Sequence, residues 1–302
     1  MYDLIIIGGG VSGLSASIYA SSRGLKTLVI EKNKVGGLVN EISIVSHYLG
    51  VENNENGIDF VNRVYNQAKL YNNTEFKIEQ ALSIDFENKI VKTNVSSYQS
   101  KAIIIATGTD KKEFYIKDIE KYLQKNVFYV VNENVDKIKN KNVVVLGSGD
   151  GAFKEAIFLS KFAKKVYILT KDKEPKVILE FREKIANIKN IQILSASQIK
   201  ELKGDEKLES IVVEKEETKE LFEIKDDEVF LFIFIGRIPN VQFLEKIELE
   251  NSAIKANSDL STNIKGIFAS GDVVNKSIRQ ISTAVSDGTI AAVNAFKYIK
   301  SL

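Results

Sequence analysis

An α/β fold built on two parallel-sheet units is predicted by three observations in this sequence. A short apolar run, Leu4-Ile5-Ile6-Ile7, opens directly onto the three glycines Gly8 to Gly10. The same succession of strand, glycine turn and small-residue helix recurs from Asn142. Further apolar strand patterns alternate with helical ones along the chain, as a parallel sheet requires.

The first unit runs from Met1 to Glu31. Leu4–Ile7 lacks polar alternation, as expected of a strand covered on both faces. Gly8, Gly10 and Gly13 satisfy G-x-G-x-x-G, with Ser12 inside the motif. The first glycine permits the tight turn, the second lets backbone approach a pyrophosphate, and the third allows close helix–strand packing. Leu14, Ala16, Ile18 and Ala20 follow at helical spacing, and Gly24 closes the helix. Its N-terminus presents free N–H groups and the positive end of the dipole to phosphate. A second strand, Thr27–Ile30, ends on Glu31, where a carboxylate can bond both ribose hydroxyls. Strand, glycines, helix, strand and terminal acid together predict a dinucleotide site.

A polar loop then reaches Val35-Gly36-Gly37-Leu38, whose paired glycines predict close backbone approach to something flat or bulky. The one histidine, His47, follows in an apolar stretch. Ile58, Phe60, Val61, Val64 and Ala68 predict an amphipathic helix over 57–71. Four alternating segments, at 75–78, 82–86, 89–93 and 97–99, predict an antiparallel meander. Lys101–Ile105 is a further buried strand, ending in Ala106-Thr107-Gly108 and returning to the first sheet.

Residues 111–141 read as a crossing into a second unit. There Val143–Leu146 is a strand, and Gly147, Gly149 and Ala152 fit G-x-G-x-x-A. A helix and the strand Val166–Leu169 lead to Thr170. Thr170 occupies the place of Glu31, so the ribose-binding carboxylate is absent. Lys171, Lys173 and Lys176 could meet a 2′-phosphate, opposed by Asp172. Two readings follow: a second nucleotide site, or a glycine turn kept for packing. Strands are expected at 191–194, 208–213, 221–224 and 229–235, then a loop at Gly236–Asn240. The chain closes with a strand delivering Asp272, then Arg279-Gln280 and a helix over 284–299.

Composition narrows the chemistry. With 44% hydrophobic and 27% charged residues, 302 residues suffice for two ordinary cores. A net charge of +2 gives no reason to expect nucleic acid or a membrane surface as partner. No signal peptide or 18-residue apolar run is evident, so a cytoplasmic protein is expected. The absence of cysteine removes disulfides, thiolate metal sites and a redox-active Cys pair from this chain.

These motifs resemble the low-molecular-weight thioredoxin reductases, within the flavoproteins that carry two dinucleotide-binding domains. Gly8–Glu31 is similar to their FAD-binding opening, Ile105-Ala-Thr-Gly108 to their ATG segment, and Phe234–Asn240 to their GxxPN crossover. Ala269–Val273 with Lys276, Arg279-Gln280 and Thr283-Ala284 resembles their second FAD segment. The resemblance runs essentially end to end. It implies two Rossmann-like domains of the three-layer ββα type, the second inserted in the first. The FAD-binding domain would be 1–111 plus 241–302, and the NAD(P)-binding-like domain 112–240. It further implies a homodimer, large rotations between the domains, Asp272 on the ribityl–phosphate region, and Arg279 with Gln280 along the flavin.

Four departures qualify the implied activity. The family's C-x-x-C has no counterpart in Val127–Val135, and disulfide exchange needs an attacking thiolate. Its basic NADPH signature has become Thr170-Lys171-Asp172 with Lys176, without the bidentate arginines. Near the flavin, a Gly-Gly-Gln has become Gly36-Gly37-Leu38, and His47 replaces an asparagine. His47 either sits at the flavin, tuning its potential or moving a proton, or packs without such a role. Finally, ending at Leu302 leaves no room for the flavin-covering extension of thiol-free relatives that reduce ferredoxin or flavodoxin. The expectation is a flavoenzyme passing electrons between NADPH or NADH and an external acceptor, a small redox protein or a small molecule. Two alternatives stand beside it: direct reduction by a ferredoxin-type donor, and a non-catalytic flavin-binding sensor or scaffold. No residue of the chain is nominated as catalytic.

Overall fold

The computed structural model describes residues 1–132 and 134–302. The chain divides into two compact units, Met1–Asp110 with Ile238–Leu302, and Lys111–Arg237.

The first unit opens with β1 (Tyr2–Ile7), α1 (Val11–Ser21), β2 (Thr27–Glu31), α2 (Gly57–Ala68) and β3 (Thr74–Ile78). Next come β4 (Ala81–Asp85), β5 (Ile90–Thr93) and β6 (Ser97–Ile105). Strand β6 serves two layers. Its start pairs antiparallel with β5 (Lys92 opposite Ser97), and its end runs parallel to β1 (Ile7 opposite Ile105). Alternation along β1 explains the layering. Leu4 and Ile6 face a core made with Ala16 and Ala20 of α1, whereas Ile5 and Ile7 face Phe86 and Val91 of the meander side.

Two expectations fail here. Segment 75–78 does not join an antiparallel meander. As β3 it pairs parallel with β2, Thr27 opposite Thr74. Segments 97–99 and 101–105 are a single strand, β6. Period-two alternation marks a half-buried strand but is silent on the direction of its neighbour.

The chain leaves the first unit through β7 (Thr109–Lys111). In the second unit β8 (Val127–Phe128), β9 (Asn142–Leu146), α3 (Asp150–Leu159), β10 (Lys165–Leu169), α4 (Leu179–Ala186) and β11 (Ile191–Leu194) precede an antiparallel layer. That layer is β12 (Ser197–Lys203), β13 (Ser210–Lys215) and β14 (Leu221–Lys225), after which β15 (Val229–Ile233) returns to the parallel sheet, ordered β11-β10-β9-β15-β8. Val143 and Val145 face Ala152, Phe153 and Phe181 of the helices, while Val144 and Leu146 face Leu202, Ile211 and Val213 of the antiparallel layer. Each unit is thus a sheet with helices on one face and antiparallel strands on the other. Strand β12 and helix α4 were not anticipated, because Lys200-Glu201 and Glu183-Lys184 break their apolar patterns.

The return passes through β16 (Arg237–Pro239), the short hairpin β17 (Leu249–Glu250) and β18 (Ala253–Ile254), and β19 (Ile267–Ala269). Strand β19 adds to the far side of β6, Ile103 opposite Ile267. Helix α5 (Ile281–Lys300) completes the unit by packing along α1. Small residues make this crossing close: a Cβ on Gly288 would lie 2.1 Å from the Ser12 carbonyl oxygen.

Candidate functional site

The first candidate site lies where β1 and β6 end and α1 begins. Gly8 holds φ +109°, and a Cβ there would meet the Ala106 carbonyl oxygen at 2.2 Å. A Cβ on Gly13 would meet the Gly8 carbonyl oxygen at 1.9 Å, so this glycine sets the approach of α1 to the strand end. At Gly10, the N-cap, a Cβ would meet nothing within 4 Å, and no side chain caps the helix. The start of α1 therefore has no side-chain acceptor of its own for its first-turn N–H groups, as anion binding at a helix start requires.

Glu31 ends β2, nearly buried, at 8% exposure. Its Oε2 accepts the Gly9 N–H at 2.8 Å and its Oε1 the Asn33 N–H at 3.0 Å. Each oxygen keeps a second lone pair, so the carboxylate is aimed and still able to accept from a diol. Backbone cradle and oriented acid fit the adenosine and pyrophosphate portions of FAD.

Gly36 and Gly37 lie close against the protein's own glycine turn. The Gly36 N–H donates to the Gly9 carbonyl oxygen at 2.8 Å, and a Cβ on Gly37 would sit 3.3 Å from the Gly10 Cα. Leu38 is half-buried in the 3-10 turn that Gly37 starts. His47 is exposed, with φ +56° and its Nδ1 3.5 Å from the Ser46 hydroxyl. Its neighbour Tyr48 does the packing, edge-on to Phe60 of α2.

The far wall comes from late in the chain. The Ser12 hydroxyl donates to Ser270 Oγ at 2.9 Å, tying α1 to the end of β19. Asp272 lies in the 3-10 turn Gly271–Val273, with Lys276 Nζ 3.9 Å from its Oδ1. Arg279 is exposed, and its Nε donates to the Asp272 carbonyl oxygen at 3.2 Å. Gln280 is the N-cap of α5 and forms a capping box with Thr283. Thr107 and Gly108 meet Asn240. Thr107 Oγ1 donates to the Asn240 carbonyl oxygen at 2.8 Å, Asn240 Nδ2 to the Thr107 carbonyl oxygen at 3.0 Å, and the Asn240 N–H to the Gly108 carbonyl oxygen at 3.0 Å.

Sequence reasoning missed Asp287, whose Oδ2 accepts the Gly271 N–H at 3.0 Å and Lys276 Nζ at 2.6 Å. It also missed the serine pair. Neither carries a local signal, since the partners of Ser12 and Gly271 lie far off in sequence or hidden in a helix pattern.

The second unit repeats the turn. Gly147 has φ +158°, and a Cβ there would meet the Phe234 carbonyl oxygen at 2.4 Å. Gly149 caps α3 without a side-chain bond and faces open space, and Ala152 packs in the core. The differences lie at the strand end. Thr170 is fully buried, and its hydroxyl donates to the Asp172 carbonyl oxygen at 2.7 Å, turned into its own loop. Lys173 pairs with Glu217 at 2.9 Å, which raises its pKa. The segment aligned with the family's cysteines lines a cavity of about 700 Å³ with Phe114, Tyr115 and Leu123, its own contribution including Phe128, Tyr129 and Asn134. Among the described residues no cluster suited to a metal ion occurs, and no helix is long and apolar enough to cross a membrane.

Comparison with known proteins agrees with this geometry. The profile of the Pyridine nucleotide-disulphide oxidoreductase family matches residues 2–288. A thioredoxin reductase of Peptoclostridium litorale is 35% identical, over 100% of this chain and 98% of the relative. A 34.2 kDa protein in the rubredoxin operon of Clostridium pasteurianum is 36% identical, over 98% of this chain and 97% of its own length. Among solved structures, the Lactococcus lactis thioredoxin reductase in its FR conformation superposes with a TM-score of 0.94 at 30% identity, over 100% of both chains. The expected fold of two Rossmann-like domains and the expected flavin-dependent chemistry with FAD both hold. With two glycine-turn sites and no cysteine, the chain belongs to the pyridine nucleotide-disulphide oxidoreductase family as a thioredoxin reductase-like flavoprotein that lacks the redox-active thiols.

Proposed function

We propose that the chain carries electrons between a nicotinamide nucleotide and an external acceptor, a small redox protein or a small molecule, through FAD bound in the first unit. The FAD-binding domain is then Met1–Asp110 with Ile238–Leu302, and the nicotinamide nucleotide belongs to Lys111–Arg237. The observation that carries this reading is the recurrence of an uncapped helix start at a glycine turn in both units, backed in the first by the oriented Glu31 carboxylate.

FAD supplies the redox chemistry when bound. The residues of the chain hold and orient it. The start of α1 takes the pyrophosphate and Glu31 the ribose diol, while the turn carrying Asp272 meets the ribityl–phosphate region and Arg279 and Gln280 line the flavin. Gly147, Gly149 and Ala152 shape the nicotinamide nucleotide site. No side chain supplies a thiolate, so a disulfide is not attacked by this chain itself.

Anaerobic stopped-flow mixing with excess NADPH, then NADH, tests the proposal. Rapid bleaching of the flavin band near about 450 nm, a property of the cofactor, is the expected result. Bleaching by neither nucleotide, with dithionite still effective, would overturn the nicotinamide step. A second reading, direct reduction by a ferredoxin-type donor, draws on Thr170 turned into its loop and Lys173 engaged by Glu217. Reduced ferredoxin that bleaches the flavin where nucleotides do not would establish it, and bleaching by neither would favour the non-catalytic sensor. Glu31→Ala should purify with much less bound FAD, and full occupancy in that variant would refute the role given to Glu31.

A further inference from the structure

We infer that Asp287 is a positioning residue for the flavin site, the carboxylate that sets the shape of the Gly271–Arg279 loop; the inference rests on FAD occupying the first unit. The loop begins with Gly271 at φ +78°, a left-handed turn in which a Cβ would also crowd Ser12 at 2.9 Å. Asp287, two turns into α5, reaches this turn from outside the loop. Its Oδ2 accepts the Gly271 N–H at 3.0 Å and Lys276 Nζ at 2.6 Å. One oxygen therefore fastens both the first residue of the loop and its middle.

Lys276 in turn stands 3.9 Å from Asp272 Oδ1, so its ammonium lies between two carboxylates. The Lys276 and Asp287 side chains are each 17% exposed, which makes their charge-assisted bond stronger than a surface pair. Asp287 itself is held in place by the next residue: Gly288 lies against the Ser12 carbonyl oxygen in the first turn of α1. The same helix turn of α5 thus touches the start of α1 and grips the loop bearing Asp272. It fixes the spacing between the pyrophosphate cradle and the ribityl-facing aspartate.

The residue does not touch the cofactor, so the test must separate positioning from general stability. Flavin-free protein would be titrated with FAD, following the quenching of flavin fluorescence, for wild type, Asp287→Ala, Asp287→Asn, Lys276→Met and the Asp287→Ala/Lys276→Met double variant. Melting of the flavin-free proteins would be followed by circular dichroism. Asp287→Ala is expected to weaken FAD binding about tenfold or more, the loss of a charge-assisted bond at an oriented loop. Asp287→Asn keeps an acceptor for the Gly271 N–H and loses the charge facing Lys276, so it should fall between. The double variant should be no weaker than Asp287→Ala alone, because the two groups act through each other. The flavin-free melting curves should stay close to wild type.

FAD affinity within twofold of wild type in Asp287→Ala would overturn the inference, and so would weakened binding that merely follows a lowered melting temperature. Should Asp287→Ala not fold, unchanged affinity in both Asp287→Asn and Lys276→Met would overturn it. A wild-type protein that takes up no FAD would instead overturn the functional reading, and this inference with it.

Discussion

Glu31 and Thr170 occupy equivalent strand ends and show how one side chain redirects a site. The Glu31 carboxylate is fixed by two backbone N–H groups and keeps acceptor capacity outward. The Thr170 hydroxyl is spent on its own loop. Replacing Thr170 by Glu would bury an unpaired carboxylate at a position with no solvent exposure, so it should destabilise the second unit by about 2 kcal/mol or more. Urea unfolding would measure it, and an unchanged midpoint would show that the loop opens to admit the acid. Glu31 and the glycine turns were legible in the sequence because Glu31 binds Gly9 and Gly13 meets Gly8 within one strand–helix–strand unit, even though Gly8 and Gly147 also abut the distant Ala106 and Phe234. Asp287, Ser270 and the Thr107–Asn240 clasp were not, because each acts on a partner that only the fold brings near.

At the scale of elements, the closeness of α1 and α5 rests on one missing methyl group. Gly288→Val would drive its side chain into the Ser12 carbonyl oxygen and should cost about 3 kcal/mol by overpacking, read as a lowered urea midpoint. Loss of FAD should accompany it, since the same turn of α5 carries Asp287. In the antiparallel layer of the second unit, Lys225 and Ser210 hold the Glu223 carboxyl down to about 2. A carboxyl with a folded pKa below its unfolded value contributes stability that is full above about 4.5 and lost as pH falls towards 2. Glu223→Gln should therefore narrow its stability gap from wild type across that window, as acid titration of circular dichroism would show. The strands themselves were mostly legible. What misled was β3, whose alternation is indistinguishable from that of its antiparallel neighbours until β2 is seen beside it.

Across the whole molecule, the absence of any sulfhydryl is the property most easily put to work. Flavin-dependent turnover with ferricyanide should be unaffected by N-ethylmaleimide, and thioredoxin disulfide should not be reduced by this chain alone. Inhibition by the reagent would reveal a second protein in the preparation. Thioredoxin reduction by the pure chain would overturn the assignment of its chemistry.

The discontinuity of the first unit also has a consequence for biosynthesis. A ribosome delivers Lys111–Arg237 complete, with both faces of its sheet covered, while β6 still lacks β19 and α1 still lacks α5. The inserted unit can therefore reach its native state during translation, whereas the segment that precedes it waits with Leu4, Ile6 and Ile104 only partly covered by α1, without Ala291, Ala292 and Ala295 of α5. Chains stalled before Ile267 should yield a protease-resistant core from the middle of the sequence and a digestible N-terminus. Chaperone demand would accordingly fall on the first hundred residues, the very stretch that later receives the flavin.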